Sequence, residues 1–137
     1  MTVINWSLEL PLIKTQSGFA KVDWAFVAAI RQAENGGEGK QFGVLDGHAL
    51  SYEQQLAETC ASVAHRLETY PANPLQRCYR YDGKSRLRYS PSFISYFASI
   101  WAPKGAGNDP TNLNLNWFKN VCNFYQSFIQ DDLGAIL

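Results

Sequence analysis

Glu34 is the acid with the most chemical promise in this chain. It closes an apolar helical run in the stretch IRQAENGGEGKQFGVL, Ile30 to Leu45, and glycines follow it almost at once. Val27, Ile30 and Glu34 are spaced i, i+3 and i+7, so they share one helix face. Two of the three are apolar and turn inward, which brings the carboxyl to the rim of a core. Partial loss of water disfavours a carboxylate and raises its pKa. A carboxyl raised in this way is a general acid suited to work near neutral pH. Asn35-Gly36-Gly37 adds little bulk beside it and leaves room for a ligand. The opposing reading is a glutamate that faces solvent at a helix end, with the glycines as an ordinary stop. An acid there meets the negative end of the helix dipole, a mild penalty that asks for another reason for its presence.

Other reactive side chains are sparse. Asp46 and Asp109 are the candidates for a second carboxylate. Asp46 pairs more simply with Gly47 in a turn, and Asp109 with Pro110 as a loop-shaping residue. His48 and His65 are the only histidines; they form no metal-ligand spacing, and no metal or cofactor is expected. His65 falls on the exposed side of its helix. Cys60, Cys78 and Cys122 are an odd, widely spaced set that reads as free thiols, with Cys60 and Cys122 on apolar helix faces. No Gly-x-Ser-x-Gly, phosphate-binding loop or dinucleotide fingerprint occurs.

The elements that must position Glu34 can be read around it. Residues 1–22 mix Trp6, Leu8, Leu10, Pro11 and Leu12 without a clear period and are expected to form an extended arm packed on the body. A helix is predicted from Asp23, its N-cap, to Glu34, stopped by Gly36 and Gly37. After a loop, Ser51 and Gln54 fit a capping box that opens a second helix ending near Tyr70, before Pro71. Its apolar stripe is Leu56, Cys60, Val63 and Leu67. Asp82-Gly83 is a turn signal between Tyr79, Tyr81, Leu87 and Tyr89, which predicts a small β-hairpin. Five basic residues crowd it: Arg77, Arg80, Lys84, Arg86 and Arg88. Ser90-Pro91 opens a third helix with Phe93, Phe97 and Ile100 to Trp101 as its apolar face. A polar loop leads to a last helix from about Asn114 to Gln130. Its two apolar stripes, Trp117/Val121/Phe124/Phe128 and Phe118/Cys122/Tyr125/Ile129, predict a central position.

"AENGGEGKQFGVL" followed by a capped helix resembles the catalytic segment of the lysozyme-like superfamily, which includes lytic transglycosylases, goose-type lysozymes and bacterial glucosaminidases. There a helix ends on a glutamate, with Ser or Asn and Gly next. "SIWAPKGAGNDPTNLNLNWFKNVCNFY", Ser99 to Tyr125, resembles the glucosaminidase-type ending, in which an aromatic residue, a loop with Asp-Pro and a final helix line a groove. The resemblance implies a mainly α, lysozyme-like domain over residues 1–137 with a small β-hairpin or loop element. It implies cleavage of the glycan strand of peptidoglycan, or of a related amino-sugar polymer, by hydrolysis or lytic transglycosylation. Glu34 matches the catalytic glutamate and Asn35 the position after it. A tyrosine from a late helix hydrogen-bonds the glutamate in transglycosylase-like folds; Tyr125 is the match, with Tyr96 as rival and Tyr89 also near a helix start. Trp101 is the expected sugar-stacking ring, against ordinary core packing. Asn108, Asp109 and Asn116 lie in the groove region, where turn or cap roles compete with ligand contacts. Without a clear second carboxylate, a catalytically inactive glycan-binding or interaction module of the same fold is the alternative.

Composition narrows the field further. With 137 residues, 46% apolar and 14% aromatic, the chain has material for one core. Its formal net charge is zero, which argues against a general polyanion binder, so no nucleic acid is expected. The basic hairpin is read as solvated, or as a contact for anionic groups on cell-wall polymer. No apolar run approaches the roughly 20 residues of a membrane span. The N-terminus has no signal-peptide pattern, so a cytoplasmic, phage-associated or non-classically exported protein is expected.

Overall fold

The structure is a computed structural model that describes residues 3–35, 41–43, 50–71, 78–80, 87–101 and 114–136. Among these residues the chain is mainly helical, in the order α1 (Trp6–Ala20), α2 (Trp24–Glu34), α3 (Tyr52–Thr69), β1 (Cys78–Arg80), β2 (Leu87–Tyr89), α4 (Pro91–Trp101) and α5 (Asn114–Ile136). The two strands pair antiparallel, with Tyr79 opposite Arg88. The Asp82-Gly83 turn lies outside the described residues, as do Asp46, His48, Asn108 and Asp109.

Helix α2 is the axis of the core. Every residue from Ala25 to Arg31 is buried. Three of these are alanines, Ala25, Ala28 and Ala29, which let neighbours approach on several sides. Phe26 sits at the centre, with Tyr89, Phe97 and Tyr125 edge-on at ring separations of 5.3, 5.2 and 5.6 Å. Edge-on geometry puts the positive ring edge against the negative face, and each such pair adds about 0.5–1.5 kcal/mol to the burial itself. The last helix was expected to be central; it is instead α2 that is covered on all sides. Helix α5 packs Trp117, Val121, Tyr125, Phe128 and Ile129 inward. It leaves Asn116, Lys119, Asn120, Asn123 and Gln126 exposed, which a central helix would not do. Phe118, Cys122 and Phe124 are only partly buried at its flanks.

The N-terminal segment corrects the expectation of an extended arm. It is helical from Trp6 to Ala20, with Pro11 inside and Lys21 as a left-handed C-cap at φ 59°. Its apolar residues hide the period because Leu8, Leu12 and Phe19 point to solvent. It docks through Ile13, fully buried, with Trp6, Leu10 and Ala20 packed against the core and Trp6 edge-on to Phe128 at 5.1 Å, and through one polar clamp. The buried Arg31 guanidinium donates to Glu9 twice, Nε to Oε1 at 2.7 Å and Nη2 to Oε2 at 3.1 Å. Such a fork-to-carboxylate pair fixes orientation as well as distance.

The start of α2 is anchored with similar care. Asp23 caps the helix through Oδ1, which accepts from the Ala25 N–H at 3.1 Å. The same oxygen accepts from Arg88 Nη1 at 2.7 Å, and Oδ2 accepts from the Tyr125 hydroxyl at 2.5 Å. Asp23 N–H donates to the Tyr89 hydroxyl at 2.8 Å, and Tyr89 N–H donates to the Tyr125 hydroxyl at 2.8 Å. Arg88 is thus 4% exposed and does not belong to a solvated basic patch. A guanidinium that deep is retained because a buried carboxylate faces it.

Helix α3 opens with the capping box read from the sequence: Gln54 N–H donates to Ser51 Oγ at 3.1 Å, and Ser51 N–H to Gln54 Oε1 at 2.9 Å. It buries Leu56, Cys60 and Val63, with Leu67 partly buried, and exposes His65. Burial pushes the Cys60 and Cys122 thiols up, which favours their protonated form. Ser90 caps α4 by accepting from Phe93 N–H at 3.2 Å. No helix among the described residues is long and apolar enough to cross a membrane.

Candidate functional site

Glu34 is the last residue of α2, and Asn35 caps the helix in a left-handed conformation at φ 37°. The stop is therefore Asn35 itself, a residue that tolerates this region; Gly36 and Gly37 lie outside the described residues. The Asn35 N–H donates back to the Arg31 carbonyl at 2.9 Å, and its buried side-chain Oδ1 has no hydrogen-bond partner among the described residues. Because the helix face dictated by Val27 and Ile30 is buried, the Glu34 carboxyl is carried inward rather than into water.

Two indoles meet it there. Trp117 Nε1 donates to Glu34 Oε1 at 2.8 Å, and Trp101 Nε1 donates to the same oxygen at 3.1 Å. Both indole rings stack on Phe97, at 5.4 Å for Trp101 and 6.3 Å for Trp117. Burial raises the Glu34 pKa above its ordinary value of 4.5, and the two indole hydrogen bonds pull it partly back. The balance has chemical meaning. Desolvation favours the protonated acid, and the two indole donors favour the carboxylate. With two N–H groups committed to Oε1, the proton of the neutral acid resides on Oε2.

Oε2 faces Gly43. A Cβ built there would lie 2.4 Å from Oε2 and 2.5 Å from the carboxyl carbon, and the backbone is at φ +70°. Glycine is required on both counts. The segment around it is held by Gln55, a fully buried side chain on α3. Gln55 Oε1 accepts from Phe42 N–H at 3.1 Å, and its Nε2 donates to Gln41 Oε1 at 2.6 Å and to the Leu50 carbonyl at 3.3 Å. Arg31 adds a bond from Nη1 to the Gln41 carbonyl at 3.4 Å.

Gly43 and Trp101 also form part of the wall of a cleft of about 250 Å³ between α3 and α4. Phe97 and Ile100 continue the α4 side, and Glu58, Ser62 and Arg66 form the α3 side. The acid therefore sits behind the two residues that close one end of a partly open depression.

The expected site residues divide. Glu34 and Trp101 come together, although Trp101 reaches the acid through its N–H as well as lining the cleft. Tyr125 does not reach Glu34: its hydroxyl is bound at Asp23, the opposite end of an 11-residue helix. Burial and the neighbouring Asp23 charge push that hydroxyl upward, so it remains a donor. Tyr96 does not reach it either. Its hydroxyl pairs with Thr69, both Oγ1 at 3.1 Å and the carbonyl at 3.2 Å. Asn116 is exposed. Asp46, Asn108 and Asp109 lie outside the described residues.

Sequence reasoning missed Trp117, which had been assigned to an apolar stripe, and the polar face of α3. The available signal for Trp117 was its indole N–H, which seeks an acceptor whenever the ring is buried. For α3 it was the i, i+4, i+8 spacing of Glu58, Ser62 and Arg66, which places them in one row. Comparison with family models, with curated proteins and with solved structures finds no match for this chain.

Proposed function

We propose that this protein cleaves the glycan strand of peptidoglycan or a related amino-sugar polymer, with Glu34 as the general acid. One observation carries the reading. A desolvated carboxyl has one oxygen held by two indole N–H groups and the other turned toward a glycine at the end of a cleft. In the reaction, Glu34 Oε2 gives its proton to the glycosidic oxygen. The C–O bond breaks and the leaving oxygen keeps the electron pair. The electron-poor sugar carbon is then captured by water, or by a hydroxyl of the same sugar, and the Glu34 carboxylate takes up the proton released in that capture. The indoles favour the step because they hold the developing negative charge without having to reorganise. The half-buried Trp101 ring offers an apolar surface to a sugar face.

The lysozyme-like resemblance of residues 33–45 and 99–125 supports the same reading. The alternative, an inactive binding module, draws on the same contacts, since two indole donors also satisfy a purely structural acid. Zymography on bacterial cell walls separates the two. Clearing by the wild type, and none by a folded Glu34→Gln variant, supports the enzyme. Equal clearing by both removes Glu34 from the mechanism.

A further inference from the structure

The cleft has a charge polarity along α3 that acid catalysis at Glu34 does not use. At the C-terminal end of α3, Thr69 and Tyr70 meet Tyr96 and Phe93 in the first turns of α4. At its N-terminal end Gln55 holds Phe42, the neighbour of Gly43, and Gly43 abuts Glu34, which receives Trp101 from the last position of α4. The two helices thus run antiparallel along the depression, and the acid lies at the N-terminal end of α3. Glu58, Ser62 and Arg66 are four residues apart and face the same space. Glu58 is nearest the acid. Arg66 lies two turns farther along, a displacement of about 12 Å at 1.5 Å per residue. Among the described residues neither charge is engaged in an ion pair.

Resting on the glycan-cleavage reading, we propose that Arg66, with Ser62, forms a subsite for a carboxylate-bearing substituent of the sugar strand, and that Glu58 repels that substituent at the acid end. The chemistry follows from the groups. A guanidinium presents paired N–H donors matched to a carboxylate, and a serine hydroxyl adds a third. The Glu58 carboxylate, toward the acid end of the cleft, makes the same substituent unfavourable there. In a polymer where neutral and acid-substituted amino sugars alternate, such polarity fixes the register of the strand. Register in turn decides which of the two alternating linkages reaches Glu34. A neutral amino-sugar polymer gains nothing from Arg66.

The test uses three soluble probes: wall glycan strands freed of stem peptides, the same strands with their carboxylates reduced to alcohols, and a neutral β-1,4-linked N-acetylglucosamine oligomer. KM, kcat and the identity of the newly formed ends are measured for the wild type and for Arg66→Gln. The expected result is a KM about tenfold higher for the variant on native strands, the loss of one charge-assisted contact at a partly exposed site, with kcat little changed. On the reduced strands and on the neutral oligomer the two proteins should agree. Wild-type products should carry one class of new end, and the variant's products both. Glu34→Gln, which cannot cut, should bind native strands more tightly than Glu34→Gln/Arg66→Gln. Equal KM and equal product ends on native strands overturn the subsite and leave the cleavage reading standing. A wild type that cuts none of the three probes overturns both.

Discussion

Replacing Gly43 by alanine tests how Glu34 is held. The new Cβ would meet Oε2 at 2.4 Å, the carboxyl carbon at 2.5 Å and Cγ at 3.0 Å, where ordinary contact begins at 3.4 Å. About 1 Å of relief is needed, and a side chain at φ +70° adds a backbone penalty of about 1–2 kcal/mol. Gln55 and Arg31 restrain the 41–43 segment, so much of the movement falls on the carboxyl. A displaced carboxyl loosens two indole hydrogen bonds at about 1 kcal/mol each. Together these give a loss of about 2–4 kcal/mol in urea unfolding. Activity should fall further than stability does, because a 1 Å misplacement of a reacting group can cost about a hundredfold in rate. Gly18→Ala is the matched control. Gly18 lies within α1 with nothing within 4 Å of a built Cβ, so alanine there should stabilise by about 0.5–1 kcal/mol and leave activity unchanged. The assays are urea unfolding and turbidity clearing of cell-wall suspensions, carried out on all three proteins. A Gly43→Ala protein with wild-type stability and wild-type clearing would refute the argument.

Two more substitutions extend the reasoning. Trp117→Phe keeps the ring but removes one donor from Glu34 Oε1, so the carboxylate loses about 1 kcal/mol of support and the pKa rises further. Under the proposed mechanism the protonated form acts and activity falls as pH rises through that pKa; the alkaline limb of kcat/KM should therefore move to higher pH, and an unmoved or lowered limb counts against the indole role. Arg88→Met strands the Asp23 carboxylate in the interior and should cost about 3–5 kcal/mol in urea unfolding, where a loss below 1 kcal/mol would mean that the pair contributes little. Glu34 also links stability to pH. With its folded pKa raised above 4.5, its contribution is fully present below that pH and is lost as pH rises through the folded value, so the loss should vanish in Glu34→Gln.

What could be read from the chain follows from how local each cause is. The starts of α2, α3 and α4 were legible because Asp23, Ser51 and Ser90 cap them within three residues. The depth of Glu34 was legible from its helix face. Helix α1 was not, because Leu8, Leu12 and Phe19 face solvent and blur the apolar period, while its contacts are distant in sequence: Glu9 meets Arg31, 22 residues away, and Trp6 meets Phe128. The indole cage was only half legible, since Trp101 and Trp117 lie 67 and 83 residues from Glu34. The tyrosine assignment failed for a related reason. Trp117 and Tyr125 sit on the inward face of α5, and α5 runs antiparallel to α2. Both acids of α2 were due a partner from that one helix, and the pairing along it settles which: tyrosine to Asp23, tryptophan to Glu34.

Helix α2 therefore works as a ruler with a fixed zero. Asp23 clamps one end to β2 and α5, and no loop interrupts the 11 helical residues that run from that clamp through Glu34. Length and rotational phase are set together. One inserted residue would carry Glu34 about 1.5 Å farther and swing it about 100° around the axis. That turns the carboxyl away from both indoles while the clamp stays in place. The two anchored ends leave this helix no freedom to change its length.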